Sequence, residues 1–432
     1  MKRKILYILP FSMVLILLII LLVPKKEETF NVESKAIKKE NIISIMLETD
    51  AGSEEYTSSS SDTWPTDGYK FNKERSGCEN GSILSWDDTQ KSVIMSGDLS
   101  DKCYVYFDVW VPTIADYCTS GTSLATCVKN FGDQGSNISN IYIHNSTLAN
   151  GANDNSYRYA GASDQVNNFI CFGSTTSPCP ENNLYRIIGV IGDKVKLIKY
   201  DYMTTDELGT DGDYIQNAED AGMLTGYYKG ARAMSEIGIH YWNYKADIDI
   251  NNGNGSNTWS TSLFNKTNLN VNFINYLGTE WSNKIATTTW KVGGNTWDNI
   301  VEKVPSISYQ NEITNPDATN STDNATEYQA KIGLMYVSDY GFAASPGAWT
   351  LTMSNYDNEI ARNNNWMYMG LVEWTISRNV DDSYIVFRVY CTGDLQGSSA
   401  SIINAGRASF NLESSITYNS GTGTINDPIL IN

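Results

Sequence analysis

The 432-residue chain has 49 acidic and 31 basic residues, which gives a formal net charge of −18 at pH 7. This charge argues against nucleic acid and anionic lipid as the main partners of the bulk of the chain. Aromatic residues make up 12% of the sequence, a content that excludes a disordered chain. The length exceeds one typical hydrophobic core, so we expect two or three domains.

The chain begins with a cationic stub, residues 1–4, followed by an apolar run. Residues 5–23 contain no charged side chain and would span roughly 28 Å as a helix, enough to cross the hydrocarbon core of a bilayer. The next five residues, PKKEE, contain no small-residue cleavage site. We therefore expect an uncleaved single-pass signal anchor in the cell membrane, with the bulk of the chain extracellular. A cleaved signal peptide is the alternative.

The seven cysteines are typical of an oxidising compartment. Proximity in the sequence predicts three disulfides, although six cysteines allow other connectivities. The predicted pairs are Cys78–Cys103, Cys118–Cys127 and Cys171–Cys179. Cys391 is left over. The spacing between Cys171 and Cys179 is too wide for a metal knuckle and no histidine lies nearby, so we expect no metal site.

The region after the apolar run changes from charged to β-rich. Residues 24–41 mix both charges and are interpreted as a stalk. Between residues 42 and 110, short β-branched and aromatic runs alternate with turn residues at a spacing of roughly ten residues. This spacing predicts a small all-β module over residues 42–110, with an immunoglobulin-like sandwich as the expected form.

A helical linker and loop, residues 111–155, is predicted to lead into a large α+β domain over residues 156–432. The clearest element of that domain is a hairpin at 184–200, where two β-branched runs flank Gly192-Asp193. Apolar residues at helical spacing follow in the region 269–277. The predicted fold class is therefore α+β, behind an N-terminal transmembrane helix and the all-β module.

An ordered set of short motifs runs through residues 155–432. The set comprises YRIIGV…VKLI at 185–198, WS…LN…F…L…W at 259–281, EWTISR at 373–378, RASFNL at 407–412 and SGTGT…DP at 420–428. It resembles an uncharacterised family of bacterial surface domains. Those domains are distantly similar to the sulfatase-modifying-factor (formylglycine-generating-enzyme) branch of the C-type-lectin-like fold. The resemblance implies a C-type-lectin-like C-terminal domain.

The activity of that branch is not expected here. Its oxidases use a cysteine pair that binds copper, whereas only Cys391 lies in the C-terminal half of this chain. The resemblance therefore implies a fold without the activity, and we expect no cofactor. The chain has two histidines, His144 and His240, and no catalytic triad is visible around either, so both are interpreted as structural.

Aromatic rings beside amide side chains are the remaining candidates for a binding site. A flat ring can cover the C–H face of a sugar while asparagine bonds its hydroxyl groups. Two runs, HYWNY at 240–244 and NNNWMY at 363–368, have this pairing. The predicted ligand-binding residues are Tyr241, Trp242, Asn243, Asn365, Trp366 and Tyr368. A core position for both tryptophans is the competing interpretation.

These features predict a membrane-anchored extracellular surface protein that binds a glycan or a protein ligand and is not an enzyme. Two alternatives stay open. The first is a structural subunit of a surface appendage or a secretion assembly. The second is an enzyme that acts on the cell wall or on glycans, which would require a pair of carboxylates that the sequence does not single out.

Overall fold

The computed structural model describes residues 34–432, apart from 62, 66, 67, 247, 249 and 318–324. The chain divides into two compact units, with the boundary between Val111 and Pro112. The predicted stub, the signal anchor at 5–23 and most of the predicted stalk lie outside the described residues. Within the described part, none of the helices has the length and apolar character needed to cross a membrane.

The first unit consists of two small β-sheets. Its strands are β1 Ser34–Ala36, β2 Ile42–Glu48, β3 Tyr56–Ser58, β4 Tyr69–Cys78, β5 Ile83–Asp87, β6 Ser92–Ser96 and β7 Cys103–Val109, with a helical turn at Lys39–Asn41. One sheet has the order β3-β2-β7-β4 and the other the order β1-β6-β5. Strands β2 and β7 run parallel, and the other pairs are antiparallel.

The core of the first unit follows the two-residue period of its strands. Along β7, Val105 is buried while its neighbour Tyr104 is exposed, because successive side chains of a strand point to opposite faces. The buried core residues are Ile37, Ile45, Leu84, Val93, Met95, Cys103, Val105 and Phe107. This core is small, and the disulfide Cys78–Cys103 between β4 and β7 reinforces it.

The second unit, Pro112–Asn432, holds the remaining strands. They are β8 Ile141–Ile143, β9 Tyr157–Tyr159, β10 Phe169–Cys171, β11 Leu184–Ile191, β12 Lys194–Lys199, β13 Tyr214–Asn217, β14 Gly238–Tyr241, β15 Thr288–Lys291, β16 Glu327–Ala330, β17 Ile332–Gly333, β18 Glu373–Arg378, β19 Ile385–Val389, β20 Leu395–Ser399, β21 Ile403–Asn404, β22 Ser409–Asn411, β23 Tyr418–Ser420 and β24 Leu430–Ile431. The largest sheet has the order β17-β22-β12-β11-β9-β8, with β10 also paired to β11. The smaller sheets are β13-β14-β21, β15-β16, β18-β19-β20 and β23-β24.

The helices of the second unit are short. The α-helices are α1 Leu124–Gly132, α2 Ser136–Ser139, α3 Thr205–Leu208, α4 Ile274–Ser282, α5 Trp297–Ile300, α6 Pro305–Tyr309, α7 Val337–Ala343 and α8 Glu359–Arg362. Phe264–Phe273 and Gln310–Thr314 are π-helical, and 3-10 turns occur at Ile114–Asp116, Glu181–Asn183, Ile250–Gly253, Pro346–Thr350 and Met353–Asn355. Helix α4 is interrupted at Gly278, whose φ of 72° is not helical.

The structure bears on two predicted regions of the second unit. The hairpin predicted at 184–200 is confirmed as β11 and β12, which turn at Gly192-Asp193. Of the helical linker and loop predicted at 111–155, the residues from Pro112 onward lie in the second unit, and Leu124 and Phe131 of α1 belong to its core.

The three predicted disulfides are confirmed. Cys78–Cys103 lies in the first unit, and Cys118–Cys127 and Cys171–Cys179 lie in the second. Three bridges are consistent with an oxidising environment. Cys391 is a buried free thiol.

The predicted fold class is wrong. An immunoglobulin-like module followed by a C-type-lectin-like α+β domain was expected, but the part of the chain that the structure describes is mostly β, with 31% strand, 21% helix and several small sheets. The physical reason lies in the polar residues. Asn, Ser, Thr and Gly hydrogen-bond to nearby backbone or favour turns, and they interrupt helices. The helical run that begins at Phe264 continues into α4 and is broken at Gly278.

Candidate functional site

The structure places both predicted binding tryptophans in the core of the second unit. Trp242 is 0% exposed and Trp366 is 1% exposed. The indole N–H of Trp242 donates to the carbonyl oxygen of Thr375 at 2.9 Å, and that of Trp366 donates to the carbonyl oxygen of Tyr159, also at 2.9 Å. Rings enclosed in this way have no open face for a sugar, which corrects the predicted role.

The other four predicted residues do not form an exposed site either. Asn243, Asn365 and Tyr368 are buried, and each donates a hydrogen bond to a backbone carbonyl oxygen, at 2.9, 3.0 and 2.5 Å respectively. Tyr241 is partly buried and packs edge-on against Tyr244, with ring centroids 4.9 Å apart. The pairing of rings and amides therefore satisfies buried polar groups of the fold.

Both histidines are buried in the second unit. Burial lowers the pKa of His144 to about 3 and that of His240 to about 3, so both rings are neutral at physiological pH. His240 stacks on Phe264, with ring centroids 4.8 Å apart, and His144 packs against Phe342 and Trp349. These contacts are those of structural aromatic side chains.

The buried histidines predict that acid destabilises the second unit. In the unfolded chain the histidine pKa is near 6.5, and in the folded chain it is lowered to about 3. Below pH 6.5 the unfolded state therefore binds protons that the folded state does not, and the free energy of unfolding falls by up to about 1.4 kcal/mol per pH unit for each histidine. His240→Phe keeps a flat ring on Phe264 and should reduce this slope, measured by urea denaturation at about pH 7 and about pH 5.

A buried carboxyl group changes the free energy of unfolding with pH in the opposite direction. Its contribution must therefore be the same in the two proteins that are compared. Burial raises the pKa of Glu312 to about 7, so its contribution to stability is present below its unfolded pKa and is lost as the pH rises through about 7. Glu312 is identical in the two proteins and cancels when their slopes are compared. Equal slopes for the native chain and His240→Phe would contradict the prediction.

The first unit has a concave site that the sequence interpretation missed. We call it the aromatic groove. Its volume is about 370 Å³, within the range of about 300–1,000 Å³ typical of small-molecule sites. Its aromatic lining residues are Tyr69, Phe71, Trp86, Phe107 and Trp110. Lys70, Asp88 and Lys91 complete the lining and are exposed at its rim.

Three strands position the rings of the aromatic groove. Phe71 of β4 lies directly opposite Phe107 of β7, and Trp86 comes from β5 in the other sheet. Phe107 is 1% exposed and forms the floor, while Phe71 and Trp86 are half-buried. The Phe71 and Trp86 rings are parallel to within 20°, with centroids 6.5 Å apart, and each lies 5.8 Å from the Phe107 ring.

The rim of the groove fixes the Trp86 indole. Its N–H donates to Oδ1 of Asp88 at 3.1 Å, and the Lys91 ammonium lies 3.4 Å from the same oxygen. The ring orientation is therefore held by an exposed polar pair in addition to its contacts with Phe71 and Phe107. The site can offer a partly open aromatic surface beside hydrogen-bonding groups of both charges.

Sequence reasoning placed residues 42–110 in a small all-β module and gave Phe71 and Trp86 no binding role. The alternation along β4 indicated that Tyr69 and Phe71 share a face. No signal in the sequence indicated that Trp86 of β5 lies beside them, because that contact depends on how the two sheets pack.

Comparisons with known proteins give no further guidance, since no family model, curated protein or solved structure matches this chain.

Proposed function

We propose that the chain is a non-enzymatic, extracellular surface protein that binds a neutral carbohydrate in the aromatic groove of its first unit. The observation that supports this proposal most is the pair of parallel, half-buried rings of Phe71 and Trp86 above the Phe107 floor. Rings with a partly open face are suited to the C–H face of a pyranose. The three disulfides support an oxidising location.

The rim chemistry favours a neutral and polar ligand. Lys70 and Lys91 can donate hydrogen bonds to sugar hydroxyl groups and Asp88 can accept them. Asp88 and Lys91 form an ion pair at 3.4 Å, so neither presents an uncompensated charge to an ion. The groove volume of about 370 Å³ is in the range of sites for small ligands. A specific protein interface instead buries a broad surface, on the order of 1,200–2,000 Å². A carbohydrate is therefore preferred to a protein ligand.

The proposal is tested by applying the full-length protein to an array of neutral and acidic oligosaccharides, followed by calorimetric titration of the glycans that bind. Trp86→Ala should weaken binding roughly tenfold or more, which corresponds to about 1.4 kcal/mol. Asp88→Ala removes an exposed side chain outside the core and should weaken binding by a smaller factor. The matched control is Tyr104→Ala, an exposed aromatic residue of β7 outside the groove, which should bind like the native protein.

Several outcomes would overturn the proposal. One is the absence of any glycan binding, and another is binding that is unaffected by both Trp86→Ala and Asp88→Ala. Filament formation without ligand binding would favour the structural-subunit alternative. Turnover of a bound glycan would show that the protein is an enzyme.

A further inference from the structure

The second unit contains a concave site of different chemistry, which we call the charged cavity. It lies among strands β12 and β15 and helix α7, and its volume is about 240 Å³. Its walls include Trp290, which is buried, and Tyr336, which is 9% exposed. The volume is below the usual lower limit of about 300 Å³ for ligand sites, so the cavity would admit only a small molecule.

Cationic side chains dominate the lining of this cavity. Arg158, Lys194, Lys196 and Lys291 line it, whereas Asp339 is the one carboxylate among its described lining residues. Lys194 and Lys196 share a face because they are two residues apart on β12. The carboxylates that pair with the other cations, Asp154, Asp193 and Glu327, lie outside the lining.

The charged side chains at the floor of the cavity compensate one another. The carboxylate of Asp339 accepts hydrogen bonds from Arg158 Nη1 at 3.2 Å and from the Lys196 ammonium. Arg158 also pairs with Asp154 at 2.9 Å. Two cations therefore meet two carboxylates. The Lys196 ammonium also lies 4.4 Å from the centroid of the Tyr336 ring.

The rim of the cavity is different from its floor. The side chains of Lys194 and Lys291 are 31% and 35% exposed. Their partners are Asp193 and Glu327, whose side chains are 74% and 52% exposed. Exposed ion pairs contribute only about 0–1 kcal/mol, so an incoming anion can replace these partners at little cost.

We propose that the charged cavity binds a small organic carboxylate. The apolar body of the ligand lies against the half-buried lining residues Ile191, Tyr309 and Ile313, and its carboxylate meets Lys194 and Lys291 at the rim. Lysines at the rim supply the charge complement, and the half-buried apolar lining supplies a contact that an inorganic anion cannot use. This site lies in a different unit from the aromatic groove and does not depend on the function proposed for the groove.

The test uses the full-length protein and benzoate as the probe. Benzamide is the neutral analogue of the same shape, and inorganic phosphate is the anion without an apolar body. Titration followed by ligand-observed NMR should give a benzoate Kd in the millimolar range, with benzamide and phosphate binding at least roughly tenfold more weakly. Benzoate binding should also weaken as the salt concentration rises, because the rim lysines are exposed.

Variants locate the site. Lys194→Gln combined with Lys291→Gln should weaken benzoate binding at least roughly fivefold, because both rim charges are lost. Lys266→Gln, an exposed lysine outside the cavity lining, is the matched control and should bind benzoate like the native protein. Three results would each overturn the proposal: no benzoate binding at about 10 mM, equal binding of benzoate with benzamide or phosphate, or equal binding by the double variant and Lys266→Gln.

Discussion

Replacing Asp339 with alanine should lower the free energy of unfolding of the second unit by about 3–5 kcal/mol, the range expected when one partner of a buried ion pair is removed. Asp339 is 2% exposed and accepts hydrogen bonds from Arg158, from Lys196 and from the backbone N–H of Tyr336. Burial lowers the pKa of Lys196, and the attraction of Asp339 opposes that change. The variant therefore leaves buried donors and charge without their acceptor.

The effect of Asp339→Ala is measured by chemical denaturation of the full-length protein. The free energy of unfolding is taken from the transition of the second unit. Asp193→Ala is the matched control, because it removes a carboxylate that pairs with Lys194 but is 74% exposed. The control should change stability by no more than about 0.5 kcal/mol. If Asp339→Ala and Asp193→Ala have similar stabilities, the buried network does not contribute as its geometry indicates.

Trp366→Ala should also cost about 3–5 kcal/mol, as expected for the truncation of a large buried aromatic side chain. The ring is 1% exposed, and the Arg186 guanidinium lies 4.9 Å from its centroid. Truncation removes these contacts and also leaves the carbonyl oxygen of Tyr159 without its indole donor. Calorimetric melting of the full-length protein measures the loss.

Two further variants separate the causes of that loss. Trp366→Phe keeps much of the packing but removes the hydrogen-bond donor, so it should cost less than Trp366→Ala. Leu224→Ala, at a side chain that is 63% exposed, should be close to neutral. A Trp366→Ala variant as stable as Leu224→Ala would show that this ring is not part of the core. In that case the binding role predicted from its sequence neighbourhood would again be open.

Local features of this chain could be predicted from its sequence. The β11–β12 hairpin follows from two β-branched runs on either side of Gly192-Asp193. The disulfides follow from cysteines that are 8, 9 and 25 residues apart. In both cases the interacting residues are close in the sequence, so the chain between them leaves few alternatives.

The candidate site could not be predicted, for two physical reasons. A tryptophan beside an asparagine has the same sequence pattern whether its ring is exposed or enclosed, and in Trp242 and Trp366 the indole N–H donates to the backbone of a distant segment. The aromatic groove depends on the packing of two sheets, which brings Trp86 beside Phe71. The α+β class failed for a related reason, since short apolar runs do not distinguish buried strands from short helices.

The arrangement of the cysteines has a consequence for how the protein matures. Each disulfide joins cysteines that are close in the sequence, and all three are complete by residue 179, whereas Cys391 lies far downstream. If the part of the chain after residue 23 crosses a membrane in order of its sequence, each partner thiol reaches the oxidising side before Cys391 does. The three pairs can then form in order of emergence, before the seventh thiol is available to compete.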